Sequence, residues 1–410
     1  MCASTSRGSR QRPSWRDLPL LRDRPIQRGE LWILSAGFNV RRDLKETSRI
    51  DCELEDVRRI SRAGGRVAIL SHQGNFADGS ALHLDFVAHY LSQRLGQPVR
   101  YISSAVGEAA VSAARAMREG DVAVFGNTRR YHGEERNDAD LARAFSEIGD
   151  AVALGGFSKA HRAHASNVGI LRFRSGYLAA SVSTQIDQLS NWAGDRPDCF
   201  SMAVIGGRKP EKVEGLRGFS KIYDFIVPGG VVLNSILKVK GYDVGGSYLG
   251  ENEKANLEAA GQVLREPRKA EIFVPSQVVV AAKAAPDARP GKVIDVRRGV
   301  DAGDAIVDFV LDGRVSAALD RVVKTRGRMI IAGTPALYPQ GFGAACEPLL
   351  AAARALDDRA ILLGGDTTAD LPFDGNKSVG GGSALAYLCH GDLPILRALA
   401  ERSSHAGTPS

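Results

Sequence analysis

Short apolar runs alternate with longer stretches of helical spacing along most of the chain. Between the apolar runs, apolar positions recur every three or four residues, as in residues 82–95 and 108–118. Continuous apolar strands separated by amphipathic helices are typical of a parallel sheet covered by helices on both faces. The pattern therefore predicts an α/β protein, with strands at residues 31–40, 66–71, 99–103, 121–125, 151–155, 201–205, 224–227, 271–281, 328–332 and 360–363.

The strand pattern restarts near residue 201, and 410 residues are too many for one ordinary core. We therefore expect two doubly wound parallel-sheet, Rossmann-like lobes. The predicted segments are a disordered basic tail at 1–28, an N-terminal lobe at 29–181, an interdomain helix at 182–195, a C-terminal lobe at 196–390, and a C-terminal helix and tail at 391–410. Whether this last segment returns to the N-terminal lobe is left open.

The formal net charge of +7 is concentrated at the start of the chain, where residues 1–28 hold seven arginines against Asp17 and Asp23. A segment rich in Ser, Arg and Pro cannot bury enough apolar area to order itself, so a solvated arm is expected, with RNA or membrane contact as the alternative. No run approaches roughly 18 apolar residues, so we expect no membrane span. Because most of the positive charge belongs to this arm, we expect no specific nucleic acid partner. Five scattered cysteines without a CxxC motif indicate free thiols and a cytoplasmic location.

Three glycine-rich segments in the C-terminal half each follow a predicted strand or open a predicted helix. Glycines at such turns let the backbone approach a phosphate, whose charge then faces helix N–H groups. A single cluster is equally well explained as a tight turn, but three such loops favour nucleotide binding. The residues in question are Gly206, Gly207, Lys209, Lys212, Gly364, Gly365, Asp366, Thr367, Gly380, Gly381 and Gly382.

Charged and hydroxyl side chains within these loops suit phosphate chemistry. Asp366 offers a hard oxygen ligand for Mg²⁺, and Thr367 a hydroxyl for a terminal phosphate. Lys209 carries a mobile point charge toward an oxygen that becomes negative during transfer. The C-terminal half is therefore predicted to bind a nucleotide together with Mg²⁺.

Arginines and histidines follow several strands of the N-terminal half. Ligands bind at the carboxyl ends of parallel strands, so these side chains are expected to converge on a small anion. Two alternatives stay open: Arg129 and Arg162 could cap helices or pair with surface acids, and His161 and His164 could be packing histidines. The predicted anion-binding residues are Asn39, Arg49, His72, Arg129, Arg130 and Arg162.

Taken in order, these segments resemble phosphoglycerate kinase from about residue 31 to 400. The matching stretches are Phe38-Asn39-Val40, Ser71-His72-x-Gly74, Arg129 with Glu134-Glu135, residues 160–166 (AHRAHAS), Gly206-Gly207-x-Lys209, Gly364-Gly365-Asp366-Thr367 and Gly380-Gly381-Gly382-Ser383. The resemblance implies two lobes around a hinge cleft, with a carboxylate substrate on the N-terminal lobe and Mg²⁺ with ATP or ADP on the C-terminal lobe. It also implies that Arg49, Lys209 and Lys212 stabilise the transferring phosphoryl group, and that the protein is a monomer.

Departures from the family pattern concentrate in the anion site. Gly37 and Gly155 stand where the family has Asp, Gly126 stands where it has Glu, and Asn75 stands where it has Arg. Asparagine does not replace a bidentate arginine at a phosphate contact, although Arg130, at an aromatic position of the family, could partly do so. We expect Asn75 and Arg130 to line an anion site of altered shape.

On the nucleoside side, Pro339 replaces a Glu that contacts the ribose in the family, so nucleotide binding is expected to be weaker or to favour another nucleoside. Three functions remain. The first is a kinase that makes an acyl phosphate on a non-glycolytic carboxylate, with capture by an amine as a ligase-type extension. The second is glycolytic phosphoglycerate kinase, and the third is a silent relative that binds nucleotide or a partner protein.

Overall fold

The computed structural model describes residues 14–209, 211–283 and 291–406. The chain divides into two compact units. The N-terminal unit comprises residues 1–185 together with 393–410, and the C-terminal unit comprises residues 186–392. Helix α6 (Ala180–Leu189), continued by a 3₁₀ turn (Ser190–Trp192), contains the point of division.

The N-terminal unit is built on a six-stranded sheet in which every pair of neighbours is parallel. Its strand order is β3-β4-β2-β1-β5-β6. The central strands are apolar and buried along their length, as expected for a sheet covered on both faces. The strands are β1 (Leu31–Ser35), β2 (Arg66–Leu70), β3 (Val99–Ile102), β4 (Val122–Phe125), β5 (Ala151–Leu154) and β6 (Ser175–Leu178).

The first three helices of the N-terminal unit present apolar side chains to a core that includes the fully buried Trp32 and Leu34 of β1. Helix α14 near the end of the chain groups with this unit. The helices are α1 (Ser48–Asp51), α2 (Leu54–Arg62), α3 (Asp85–Leu95), α4 (Gly107–Arg115), α5 (Ala139–Ser146) and α14 (Pro394–Ala406).

The structure corrects the predicted disordered tail over residues 14–28. Leu18, Leu20 and Leu21 are buried, and Leu20 forms a parallel bridge with Leu178 at the sheet edge. The prediction rested on the charge of the segment and overlooked these leucines. They supply the apolar contact that an arginine-rich segment otherwise lacks. Residues 1–13 lie outside the described part of the chain.

The C-terminal unit contains a second six-stranded parallel sheet, with strand order β15-β14-β13-β7-β8-β9. Two doubly wound parallel sheets are therefore confirmed. The strands are β7 (Ser201–Ile205), β8 (Phe225–Pro228), β9 (Glu271–Ile272), β13 (Arg328–Ala332), β14 (Ala360–Leu363) and β15 (Asn376–Ser378). The helices are α7 (Glu211–Ile222), α8 (Gly230–Val239), α9 (Glu253–Arg265), α10 (Gly313–Lys324), α11 (Cys346–Leu356), α12 (Gly365–Asp370) and α13 (Gly381–His390).

A small antiparallel sheet in the C-terminal unit was not predicted. It has the order β11-β10-β12, formed by β10 (Gln277–Ala282), β11 (Lys292–Asp295) and β12 (Asp304–Phe309). The single strand predicted at 271–281 is wrong, because β9 and β10 belong to different sheets. Pro275 lies between them and has no backbone N–H to continue a ladder.

Within the described ranges, no helix is both long and apolar enough to cross a membrane. The four cysteines there, Cys52, Cys199, Cys346 and Cys389, are free thiols.

Candidate functional site

The phosphate end of the C-terminal unit begins with Gly206 and Gly207 directly after β7. The Gly207 N–H donates to the Thr334 carbonyl at 3.0 Å, and the Gly207 carbonyl accepts from the Val231 N–H at 2.9 Å. A Cβ atom on Gly206 would lie 2.4 Å from the Thr334 oxygen, and Gly207 has a φ of +88°. Close packing of three loops therefore explains these two glycines, and the case for phosphate binding rests on their neighbours.

Lys209 and Asp366 meet at this edge of the sheet, although 157 residues separate them in sequence. Lys209 Nζ lies 2.9 Å from Asp366 Oδ2, and the side chains are 62% and 77% exposed. Lys209 follows β7, whereas Asp366 lies in the first turn of α12, after β14. The structure thus places the predicted metal ligand beside the predicted catalytic lysine.

Lys212 lies in the first turn of α7 and is buried. A Cβ atom added to Gly364 would lie 3.8 Å from Lys212 Nζ and 3.4 Å from the Thr367 hydroxyl oxygen. Burial and the nearby charge of Lys209 lower the pKa of Lys212 to about 8. A hydroxyl and an ammonium therefore converge on Gly364, where an anion would restore the stability of the ammonium form.

Open space surrounds two other predicted glycines, since Cβ atoms on Gly365 and Gly381 would meet nothing within 4 Å. Gly380 is the N-cap residue of α13, and Gly381 and Gly382 form the first turn of that helix. The Gly364 N–H donates to the Ser378 carbonyl at 2.8 Å, so the glycine segments after β14 and β15 are neighbours. Backbone approach by a phosphate is sterically possible here, unlike at Gly206.

A Mg²⁺ ion fits this set of residues. Mg²⁺ that arrives with a nucleotide needs one or two protein carboxylates, because phosphate oxygens and water complete its coordination. Asp366 is an exposed carboxylate whose present partner is a cation, Lys209, as an anionic metal ligand requires. Among the described residues there is no cluster of three or more His, Cys, Asp or Glu suited to a metal.

The anion end of the N-terminal unit centres on His72, a buried residue in the loop after β2. Burial lowers the pKa of His72 well below its usual value, and the charges of Lys159, Arg129, His164 and Arg49 add to this effect. The predicted convergence of cations from separate loops is thus present around His72, with Lys159 as a member that was not predicted.

Arg49 is held by a backbone carbonyl, whereas Arg129 is held mainly by a carboxylate. Arg49 Nη1 donates to the Asn39 carbonyl at 2.8 Å, while Asn39 Oδ1 accepts from the Gly74 N–H at 3.4 Å. Arg129 is buried, and its Nη1 atom pairs with Glu135 Oε1 at 2.9 Å. Its buried Nε has no hydrogen-bond partner among the residues described, so this guanidinium retains a donor.

The remaining predicted anion-binding residues differ in position. The exposed Arg162 contributes to lowering the pKa values of His164 and Arg129, so it belongs to the cluster. Arg130 Nη1 instead lies 2.9 Å from His83 Nε2. Asn75 Oδ1 accepts from the Ala77 N–H at 3.0 Å and so forms a local turn. The structure brings neither Arg130 nor Asn75 into the group around His72.

Neighbouring side chains occupy the space beside Gly37 and Gly155, the two glycines that replace family aspartates. A Cβ atom on Gly155 would lie 2.2 Å from Glu53 Oε2, and one on Gly37 would lie 2.9 Å from Ser158 Oγ. Glu53 is fully buried, accepts from the Gly156 N–H at 2.6 Å, and accepts from the Ser181 hydroxyl at 2.9 Å. Burial, aided by Asp56, raises the pKa of Glu53 to about 7.

Sequence reasoning missed Glu53 and Lys159. A signal for Lys159 existed, since it is the sole charged residue among residues 151–160. Glu53 has no comparable signal, because it lies among the ordinary charged residues that precede α2.

Comparisons with known proteins agree with this architecture. A family model described as "Phosphoglycerate kinase" matches residues 33–393. The phosphoglycerate kinase of one strain of Methylorubrum extorquens is 31% identical over 401 residues, covering 92% of this chain and 96% of the relative. That of Pseudothermotoga lettingae is 30% identical over 387 residues, covering 90% and 96%.

Two solved structures share the fold. Phosphoglycerate kinase from Pyrococcus horikoshii OT3 superposes with a TM-score of 0.74 at 22% identity, covering 95% of this chain and all of the other. The structure of phosphoglycerate kinase from Coxiella burnetii gives 0.71 at 23% identity, covering 94% and 99%. At these identities the likeness concerns the fold alone.

Proposed function

The chain belongs to the phosphoglycerate kinase family, and from this premise we propose that it phosphorylates a carboxylate other than 3-phosphoglycerate. ATP or ADP with Mg²⁺ occupies the C-terminal unit, and an anionic carboxylate occupies the N-terminal unit. The reaction moves one phosphoryl group between the terminal nucleotide phosphate and a carboxylate oxygen, so the product is an acyl phosphate.

One contrast carries this proposal. Lys209, Asp366 and Lys212 gather at the phosphate end as nucleotide chemistry requires. At the anion end, Glu53 and Ser158 fill the space beside Gly155 and Gly37. The phosphate-handling residues of the nucleotide end are therefore retained while the acceptor end is rebuilt, which supports phosphoryl transfer to an altered substrate.

Each charged residue has a role in the transfer. Asp366 would hold Mg²⁺, which would supply positive charge to the nucleotide phosphate oxygens. Lys209, Lys212 and Arg49 stabilise the charge that spreads over the equatorial oxygens of the transferring group. Because the two ligands are assigned to different units, transfer also requires a hinge-bending step that brings them together and excludes water from the acyl phosphate.

Glycolytic phosphoglycerate kinase is a second candidate, favoured by the names of relatives at 30–31% identity. The anion end argues against it. Replacing a bidentate arginine contact by Asn75 costs on the order of 1.5–3 kcal/mol, or roughly 10- to 100-fold in affinity. We therefore expect 3-phosphoglycerate to be a poor substrate.

A panel of carboxylic acids that includes 3-phosphoglycerate tests the proposal. Purified protein is incubated with Mg-ATP and each acid, and hydroxylamine traps any acyl phosphate as a hydroxamate. We expect hydroxamate with an acid other than 3-phosphoglycerate, and repeating the assay with amines in place of hydroxylamine tests ligase-type capture. Fast turnover of 3-phosphoglycerate would identify the glycolytic enzyme, and no product from any acid would support the silent relative.

A further inference from the structure

Lys159 is an ammonium buried within the N-terminal unit, with 3% of the residue exposed. It ends a 3₁₀ turn (Phe157–Lys159) that follows β5. Its Nζ atom donates to Ser35 Oγ at 2.9 Å and lies 3.5 Å from Ser166 Oγ. Lysine is rarely buried without a compensating partner, so these contacts call for a reason.

A continuous hydrogen-bond network connects this ammonium to a buried carboxylate. The Ser35 hydroxyl donates to the Ser166 carbonyl at 2.6 Å. The Ser166 hydroxyl donates to Glu134 Oε1 at 2.6 Å, and the Ser166 N–H donates to Glu134 Oε2 at 3.0 Å. Lys159 and Glu134 are therefore coupled through serines rather than by direct contact, and both ends of the segment 159–166 are fixed.

The fixed segment carries two residues of the anion end, Arg162 and His164. Asn167 secures them from the other side: its Oδ1 accepts from the His164 N–H at 2.8 Å, and its Nδ2 donates to the Arg162 carbonyl at 2.9 Å. The backbone that presents the Arg162 guanidinium is thus held at Lys159, at Ser166 and by Asn167.

The charge of Lys159 also reaches the anion end. It contributes, after burial, to lowering the pKa values of His72 and His164, so its ammonium lies within electrostatic range of both rings. The charged groups around Lys159 are Glu53, Glu134 and Arg129. Burial outweighs the two carboxylates and lowers the pKa of Lys159 to about 8.

We propose that Lys159 is a positioning residue of the anion site, which fixes the segment bearing Arg162 and His164 and adds a buried positive charge beneath the bound carboxylate. This inference rests on the proposed assignment of the N-terminal unit to an anionic substrate. It adds a buried cation that the family motifs in this chain do not include.

Calorimetric titration with 3-phosphoglycerate, used as an anionic probe, tests this role in the full-length chain. Lys159→Met should raise the Kd for 3-phosphoglycerate on the order of tenfold at pH 7 and leave the Kd for Mg-ATP within about twofold. In the parent protein, the Kd for 3-phosphoglycerate should rise as pH increases through about 8, because the ammonium is lost there. The Lys159→Met variant should show no such rise.

A double variant distinguishes a loss of substrate positioning from a general loss of stability. Lys159→Met removes a positive charge that is coupled to the buried Glu134, so part of its effect could be loss of structure. Lys159→Met/Glu134→Gln removes both charges and should restore the unfolding midpoint in urea without restoring the Kd for 3-phosphoglycerate. Recovery of that Kd in the double variant, or an unchanged Kd in Lys159→Met, would overturn the proposal. So would a Kd of the parent protein for 3-phosphoglycerate that stays constant as pH increases through about 8.

Failure of the proposed function gives a different result. If no acid yields a hydroxamate while 3-phosphoglycerate still binds in a Lys159-dependent manner, phosphoryl transfer is refuted and the positioning role of Lys159 is supported.

Discussion

Lys209 Nζ and Asp366 Oδ2 lie 2.9 Å apart, which joins the loop after β7 to the first turn of α12. Both side chains are largely exposed, and an exposed ion pair of this kind contributes little to stability. The pair matters for chemistry rather than for stability. The carboxylate and the ammonium neutralise each other here, and a bound Mg-nucleotide would separate them. A Mg²⁺ ion held by the Asp366 carboxylate would leave the Lys209 ammonium available to a phosphate.

Asp366→Ala should therefore abolish Mg-dependent nucleotide turnover while leaving the thermal midpoint within about two degrees of the parent. Turnover is measured by hydroxamate formation and the midpoint by circular dichroism. Asp374 is an exposed carboxylate beyond α12. Asp374→Ala is therefore the matched control, and its turnover and thermal midpoint should equal those of the parent. Normal turnover in Asp366→Ala would show that the assignment of phosphate binding to this part of the C-terminal unit is wrong.

Arg49→Ala should reduce turnover on the order of 10³-fold while barely changing nucleotide affinity, because a cation on the transferring group acts mainly in the transition state. Combined with Lys209→Ala, the loss should be smaller than the product of the two single losses, since both groups act on one transition state. Arg41→Ala, whose side chain is 89% exposed, is the control. Weakened nucleotide binding alone in Arg49→Ala would contradict transfer between the two units.

Nucleotide binding should take up protons near pH 8.5. The free protein has a Lys212 pKa of about 8, so part of this ammonium is deprotonated there, and a bound phosphate favours the charged form. Calorimetry of Mg-ATP binding in two buffers of different ionisation enthalpy measures the uptake. Lys212→Met should abolish it, whereas Lys221→Met on the same helix should not. Equal proton uptake in parent and Lys212→Met would exclude Lys212 from the phosphate site.

Glu53 should make the protein less stable as pH rises from about 4.5 to about 7. Its pKa is raised to about 7 in the folded state, so that state binds more protons than the unfolded chain within this window. The loss is on the order of 3 kcal/mol at most, and stability from this source is constant above pH 7. His164, whose pKa burial lowers to about 3, contributes the opposite slope below pH 6.5.

The difference between Glu53→Gln and the parent isolates this contribution, because the slope due to His164 is common to both. Urea unfolding at pH 5, 6, 7 and 8 should show a smaller decline for Glu53→Gln. Glu55→Gln, an exposed neighbour, should follow the parent curve. Parallel curves for Glu53→Gln and the parent would mean that Glu53 is already ionised in the folded state at pH 5.

Periodicity predicted the two parallel sheets because their central strands are apolar on both faces, as in β1 and β7. It missed β6, whose four residues alternate in burial, and β15, whose three residues include the exposed Asn376 and Lys377. Short edge strands carry too few buried positions to produce a pattern. The antiparallel sheet was missed because the largely apolar residues 271–281 favour one continuous strand, although Pro275 interrupts it.

The candidate site was predictable where a motif places a charged residue directly after a strand. Lys209, Asp366 and Arg129 are all of this kind: Lys209 and Asp366 form an ion pair, and Arg129 lies close enough to the buried His72 to affect its pKa. Arg130 follows Arg129 directly, yet its side chain reaches His83, which no spacing rule could indicate. Glu53 was invisible for another reason: its importance depends on the absence of a side chain at Gly155, 102 residues away.

The contact between Glu53 and Gly155 also bears on the history of the chain. Aspartate at position 155 would place its Cβ atom 2.2 Å from the Glu53 carboxylate, so that exchange is harmful until residue 53 has changed. Gly37 is closed in the same way by Ser158 Oγ at 2.9 Å and Gly156 Cα at 3.0 Å. An aspartate at position 155 is thus compatible with this packing only when residue 53 changes with it, so the two positions are constrained to vary together.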